Sequence, residues 1–225
     1  MRQRRWMSCG VLGGLLLAFT CGPAFPAPGA ASEAAVTDDK GKPVEDAVVY
    51  VMSLPRAETR PDHATLDQQD KEFIPYVLPI DTGTAVQFPN RDNIRHHVYS
   101  VSLAKKFELP LYIGTPANPV VFDKPGVVVL GCNIHDWMLA YVFVLPTPYF
   151  AKTGPDGKAR IAELPPGSHE VRVWHPRMRE STEKTGQQAA VSPTAAGQVT
   201  FTVTLKREWR VQRSPDRSGG AGPQN

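Results

Sequence analysis

The sequence has little cysteine: three among 225 residues, two of them within the first 21. That opening segment has a basic start, an apolar run over residues 7–21 and a small-residue, proline-rich end, which is typical of a secretory signal. We therefore predict a cleaved signal peptide over residues 1–30 and a periplasmic mature chain. Cleavage would leave Cys132 alone, which excludes an intramolecular disulfide and implies a thiol that is free, buried or bound to something.

Net charge and membrane-spanning hydrophobic runs are also lacking. The formal charge of +3 falls to 0 when the three arginines of residues 1–30 leave, because no acidic residue leaves with them. A neutral mature chain does not fit a basic nucleic-acid binder, and only residues 206–217 are mildly basic. The apolar run of the signal is too short and too broken by glycine to cross a bilayer. We expect neither a nucleic-acid partner nor a membrane span.

Sustained helical patterns are missing too, and the best helix candidate, residues 102–107, is barely two turns long. The chain instead has 22 prolines and 18 glycines between short segments rich in β-branched and aromatic residues, which predicts an all-β sandwich fold. We expect disorder at residues 31–40 and in a tail over 207–225. The predicted strands cover residues 46–53, 84–88, 97–102, 120–123, 126–131, 138–145, 159–164, 169–175 and 198–205.

Two segments far apart in the chain resemble the two halves of one small domain. "GKPVEDAVV" (41–49) and "DGKARIAELPPGSHEVRV" (156–173) are similar to the start and finish of the transthyretin-like, or carboxypeptidase regulatory-like, β-sandwich. The resemblance implies a split domain over residues 35–61 and 146–206, with residues 62–145 inserted into it or packed beside it. The alternative is a pair of unrelated hairpins at the edges of one domain.

Residues of metal-ligand type are concentrated between these halves. "GCNIHDWM" (131–138) spaces Cys132, His135 and Met138 three residues apart in a loop between two predicted strands. Earlier, "FPNRDNIRHHVYS" (88–100) places a histidine pair where a loop enters a strand. Two imidazoles and a thiolate, with a weak axial thioether, are the ligands of a type 1 copper site. Zinc is a poor alternative, because thioethers are not among its usual protein ligands.

These motifs resemble those of the cupredoxins, the blue-copper family that includes plastocyanins, amicyanins and methylamine-utilisation-type proteins. The resemblance rests on three features: the segment "FPNRDNIRHHV", the glycine six residues before the cysteine in "GVVVLGCNIHDWM", and the Cys-x-x-His-x-x-Met spacing. The resemblance implies a Greek-key β-sandwich over residues 62–145 that binds one type 1 copper ion per chain. The ligands it implies are His96, Cys132, His135 and Met138.

Two points within this assignment stay open. His96 is preferred to His97 because it directly precedes the position that relatives fill with asparagine, and because neighbouring residues of a strand point to opposite faces. The second open point is whether His97 or Asp136 also coordinates the metal, which would give a more tetragonal copper site.

The resemblance implies an electron carrier rather than an enzyme. Its redox partner, a cytochrome or a dehydrogenase, would dock near His135, where Trp137 and Leu139 are candidates for an apolar docking patch. One rival hypothesis is a Cu(I)-binding protein for copper delivery or storage. A second is an accessory subunit of an oxidase or dehydrogenase, with the transthyretin-like sandwich as its docking module.

Overall fold

The computed structural model describes residues 31–52, 54 and 63–207. The predicted signal peptide, and residues 208–225 of the predicted tail, lie outside the described residues. Within the described part, no helix is both long enough and apolar enough to cross a membrane.

The described residues form seventeen strands and one short 3-10 helix, Thr182–Thr185. This confirms the all-β prediction, and each of the nine predicted strand regions contains a strand. The strands are β1 (Ser32–Asp38), β2 (Val48–Val51), β3 (His63–Thr65), β4 (Asp67–Gln69), β5 (Glu72–Ile74), β6 (Val77–Asp81), β7 (Ala85–Gln87), β8 (His96–Val101), β9 (Lys106–Tyr112), β10 (Val120–Val121), β11 (Gly126–Gly131), β12 (Leu139–Leu145), β13 (Phe150–Lys152), β14 (Lys158–Ile161), β15 (Gly167–Trp174), β16 (Gln187–Val191) and β17 (Gly197–Val203).

These strands form several sheets that pack in layers. Strands β14-β1-β17 make a three-stranded sheet, and β13-β2-β15-β16 make a four-stranded sheet. Strands β6-β12-β11-β8-β9 make a five-stranded sheet, β10-β7-β3 another three-stranded sheet, and β4-β5 a hairpin. Most neighbours are antiparallel, but β1–β17, β6–β12 and β3–β7 are parallel pairs.

Two apolar cores lie in these layers. The first draws its buried residues from 34–51 and 159–203, and the second from 66–144. The second core includes Cys132 and Met138. Each core is therefore built from one of the two sequence regions separated by the predicted domain boundaries. The division into two domains itself stays a prediction.

Strand β2 of the four-stranded sheet is buried on both faces, which explains why it is apolar at every position. Val49 and Val51 belong to the first core, whereas Val48 and Tyr50 contact Phe143 and its neighbours in a third apolar cluster. Strand β12 alternates in the same way between the second core and this third cluster. Successive side chains of a strand point to opposite faces, so a continuous apolar run is expected where both faces are covered. The third cluster therefore joins the four-stranded sheet to the five-stranded sheet.

The prediction of disorder at residues 31–40 is wrong. Strand β1 pairs in parallel with β17 over seven residues and antiparallel with β14. Ala34 and Val36 alternate into the first core between more exposed neighbours. The period of two is present in the sequence, but small and acidic residues obscure it.

The prediction of a short helix over residues 102–107 is also wrong. The chain bends after β8 and returns as β9, which starts at Lys106 and pairs antiparallel with β8. The Ser102 hydroxyl accepts a hydrogen bond from the backbone N–H of Val129 at 2.9 Å, which fixes the bend against β11. Strand pairing therefore overrides the weak local preference for helix.

Candidate metal centre

One end of the five-stranded sheet positions the ligand-type residues. Strand β8 begins at His96, β11 ends at Gly131, and β12 begins at Leu139. Gly131 pairs with both Tyr99 of β8 and Leu139 of β12, so the three strands are neighbours at this end. Residues 132–138, which we call the ligand loop, connect β11 to β12 beside the start of β8.

The structure brings His96, Cys132 and His135 together. The Nδ1 atoms of His96 and His135 lie 3.2 Å apart, and the Cys132 Sγ lies 3.8 Å from His135 Nδ1. One ligand atom from each of the three residues lies within 4.8 Å of the other two. The two imidazole rings have centroids 4.9 Å apart at an interplanar angle of 61°. Three atoms that can each donate a lone pair to a cation therefore converge on one point.

Three of the four predicted ligands are buried, and one is partly exposed. His96 is fully buried, Cys132 is 5% exposed and Met138 is 2% exposed, whereas His135 is half-buried. The backbone N–H of Met138 donates to the His135 carbonyl at 3.0 Å, which closes a turn in the ligand loop. Met138 packs in the same core as Cys132. Met138 as a ligand stays a prediction.

A carboxylate fixes the tautomer of His96. Its Nε2 lies 2.7 Å from Asp92 Oδ2. Burial raises the pKa of the Asp92 carboxyl, but hydrogen bonds from the Lys71 N–H, the His96 ring and the Asp70 N–H together hold it below its usual value. An ionised carboxylate only accepts, so Nε2 must carry the proton. The Nδ1 lone pair of His96 is then left facing His135 and Cys132.

The electrostatics of His135 also favour a neutral imidazole. Burial lowers the pKa of His135 below its usual value, followed by the repulsion that would arise if His135 and His96 were both protonated and by the Lys71 ammonium, and Asp92 opposes this only in part. At neutral pH the ring is therefore free of the extra proton that would compete with a cation.

His97 lies on the other side of β8. Its Nε2 lies 2.8 Å from Glu108 Oε1, and its ring stacks on Tyr99 at a centroid distance of 5.5 Å. Its buried Nδ1 has no hydrogen-bond partner. The group of candidate ligands among the described residues includes neither His97 nor Asp136.

Sequence patterns missed the groups that support the loop before His96. The Asn90 side chain donates to the carbonyls of Ile94 and Tyr112, each at 2.8 Å, and accepts from the Asp92 N–H at 3.0 Å. Asn90 and Asp92 were visible only as polar residues of a loop. Their position four to six residues before a ligand-type histidine was the one available signal.

The donor set suits copper and does not suit metals that bind through oxygen. A thiolate and two imidazoles suit both Cu(I) and Cu(II), whereas Mg²⁺ and Ca²⁺ require oxygen ligands. Nitrogen atoms about 2.0 Å from a metal are separated by a little over 3 Å at the angles of a trigonal or tetrahedral site. The 3.2 Å between the two Nδ1 atoms meets that requirement without rearrangement. His96, Cys132 and His135 could therefore hold a copper ion.

Comparison with solved structures finds cupredoxins. A purple cupredoxin from Nitrosopumilus maritimus is 25% identical, with 36% of this chain and 98% of that chain covered and a TM-score of 0.32. A copper-containing nitrite reductase from Thermus scotoductus SA-01 is 26% identical over 49% of this chain and 28% of that chain, with a TM-score of 0.34. A reduced Cu(I) form of an amicyanin variant is 22% identical over 43% and 97%, with a TM-score of 0.33.

No protein-family model matches this chain, and no curated protein matches it. TM-scores of 0.32 to 0.34 add no weight to a functional assignment. Assignment of a function therefore depends on the ligand atoms of the chain itself.

Proposed function

We propose that this chain is an exported type 1 (blue) copper protein that carries single electrons between redox partners. One copper ion per chain would be held by His96, Cys132, His135 and Met138. The observation that supports this most is the convergence of two imidazole Nδ1 atoms and a thiol sulfur, with separations of 3.2 and 3.8 Å.

The chain's own residues supply what such a site needs. A copper ion bound there would provide a one-electron Cu(II)/Cu(I) couple. His96 is held by Asp92 with its Nδ1 free, and Cys132 and Met138 lie in an apolar core that excludes water from the sulfur. Because these groups are fixed before any metal binds, little rearrangement is needed on a change of charge.

His135 is the residue through which a partner would reach the site. It is half-buried, and its neighbour Ile134 is 51% exposed. The ring of Trp137 lies 5.1 Å from that of His135 and is partly buried. We propose that a periplasmic cytochrome or dehydrogenase docks on this apolar surface and that the chain has no catalytic site of its own.

Copper loading of the full chain tests the proposal. The Cu(II) protein should show the intense absorption of a thiolate-to-copper transition, and Cys132→Ser should abolish it. His96→Gln should also abolish it, whereas the matched variant His97→Gln should retain it, because His97 contacts Glu108 instead of the site. Absorption that survives in Cys132→Ser, or is lost only in His97→Gln, would contradict the assignment.

Redox cycling separates electron transfer from copper handling. An electron carrier should pass between Cu(II) and Cu(I) repeatedly without losing metal, since three of its four proposed ligands are buried. Release of copper on each reduction would instead support delivery or storage of Cu(I).

A further inference from the structure

Asp92 connects the loop before His96 to the β4–β5 hairpin. Its Oδ1 accepts the backbone N–H of Asp70 at 2.7 Å, and its Oδ2 accepts the N–H of Lys71 at 2.9 Å. The same Oδ2 accepts His96 Nε2 at 2.7 Å. One carboxylate therefore holds a ligand-type imidazole and both residues of the hairpin turn.

The turn itself, which we call the 70–71 turn, has an unusual backbone. Asp70 and Lys71 have φ values of 56° and 59°, although neither is glycine. A two-residue hairpin turn of type I′ needs positive φ at both positions and usually places glycine at one of them. A lysine persists in this conformation only where its surroundings hold it, and such residues concentrate at functional sites. Here the Asp92 carboxylate holds the turn, because it accepts the backbone N–H groups of both turn residues.

Lys71 is also joined to the ligand loop. The indole N–H of Trp137 donates to the Lys71 carbonyl at 3.0 Å. Lys71 thus donates to Asp92 through its N–H and accepts from Trp137 through its carbonyl. The two loops that carry His96 on one side and Cys132 and His135 on the other meet at this one residue of the hairpin.

The hairpin is also bonded to the His96 loop at a second place. Gln68 of β4 exchanges backbone hydrogen bonds with the His96 loop, from its N–H to the Pro89 carbonyl at 2.9 Å and from the Arg91 N–H to its own carbonyl at 2.8 Å. The hairpin that carries the 70–71 turn is therefore attached to the His96 loop independently of Asp92.

We propose that the 70–71 turn positions both halves of the metal centre: Asp92 orients His96, and Trp137 fixes the ligand loop. Asp92 and Trp137 are positioning residues that act through the ligands, and this inference rests on the proposed function for the identity of those ligands. Partners of this kind typically change metal affinity by 10- to 100-fold when they are removed.

The first test uses the metal-free protein. In the wild type, ¹⁵N chemical shifts should show His96 as a single tautomer with the proton on Nε2. Asp92→Ala should give a mixture of tautomers and faster amide exchange at Asp70 and Lys71. The matched control is Asp67→Ala, which removes a carboxylate bound to Arg91, next to Asp92, without touching His96. Asp67→Ala should change neither the tautomer of His96 nor the amide exchange at Asp70 and Lys71.

The second test measures copper affinity. Asp92→Ala should weaken copper binding by about 10- to 100-fold, whereas Asp67→Ala should not. Trp137→Phe keeps the aromatic body and removes the N–H, so it should weaken binding as well. If both bonds act through Lys71, the double variant should differ from the product of the single fold-changes by at least about twofold. Equality with that product would overturn the shared role of the turn.

The outcomes separate this inference from the proposed function. If wild-type protein shows no thiolate-to-copper absorption, the proposed function fails, and the tautomer and exchange data still test the turn. If the wild type does show it and Asp92→Ala matches Asp67→Ala in tautomer and in affinity, the positioning role is overturned. Should Asp92→Ala not fold, Asp92→Asn keeps the volume but loses one acceptor oxygen. With one acceptor oxygen left, at least one of the three bonds must be lost, so an unchanged His96 tautomer together with unchanged amide exchange at both Asp70 and Lys71 in Asp92→Asn would overturn the inference.

Discussion

Gly131 and Tyr99 face each other where β11 pairs with β8, and a Cβ added to Gly131 would lie 3.0 Å from the Tyr99 ring. Cys132 follows directly, so the absence of a side chain at position 131 lets the tyrosine lie over the strand that carries the thiol. Tyr99 in turn stacks on His97. The close packing of Tyr99 therefore explains why a glycine precedes Cys132.

We expect Gly131→Ala to destabilise the fold by about 1–3 kcal/mol, because the added methyl group must displace the Tyr99 ring. Urea unfolding measures the change. The matched control is Gly154→Ala, whose added Cβ would meet only Asp156 Oδ1 at 3.4 Å, an ordinary contact. An equal loss of stability in both variants would show that the tyrosine contact is not the cause.

The stability of the metal-free protein should fall below neutral pH because of His135. Its pKa is lowered in the folded state by burial, by the repulsion that would arise if His135 and His96 were both protonated, and by the Lys71 ammonium. Between that lowered value and the ordinary histidine value of about 6.5, the unfolded chain binds more protons, so stability is full above about 6.5 and is lost as pH falls. Unfolding free energies at pH 7.5 and 5 should differ less in His135→Gln than in the wild type. An unchanged difference would contradict the lowered pKa.

Tyr112 should produce the opposite dependence at alkaline pH. Burial, opposed by the hydrogen bond from Gln68 and aided by the negative charge of Cys132, raises the pKa of Tyr112 to about 12. Because the pKa of Tyr112 is higher in the folded state, its protonated phenol contributes stability below the ordinary tyrosine pKa of about 10. This contribution is lost as pH rises toward 12. Phenolate absorbance should show one late-ionising tyrosine, absent from Tyr112→Phe. If that variant keeps the late step, the assignment to Tyr112 is wrong.

A buried hydroxyl tests the first core. Thr153 Oγ1 accepts the Ala47 N–H at 2.9 Å and donates to the Val44 carbonyl at 2.7 Å. Thr153→Val keeps the shape but leaves both backbone groups unsatisfied, which should cost about 2–4 kcal/mol in unfolding free energy. Thr202→Val, at an exposed position of β17, is the control and should be close to neutral. Similar unfolding curves for the two variants would refute the role of the hydroxyl.

Local sequence predicted the strands and the residues that meet at the candidate site. The strands were visible because β-branched and aromatic runs such as that of β12 alternate with turn residues. Cys132 and His135 were visible because their spacing lies within one loop, and His96 because a loop enters β8 there. Each of these signals is contained in a few consecutive residues.

The rest depended on contacts between distant segments. Asp92 meets Asp70 and Lys71, which lie about twenty residues earlier, and Lys71 meets Trp137 across 66 residues. One partner in each of these bonds is a backbone N–H or carbonyl group, and nearly every residue type has both. Strand β1 was missed for a similar reason, because its partner β17 lies at the far end of the described chain.

The four-stranded sheet has a consequence for how the molecule comes apart. Because β2 sends alternate side chains into the first core and into the cluster shared with β12, it cannot leave one without leaving the other. Loss of the first core would expose Phe143 and Leu145 on the back of the sheet whose other end carries the ligand loop. We therefore expect the layers to unfold in a single thermal transition. Destabilising the first core should also disrupt the packing around Cys132.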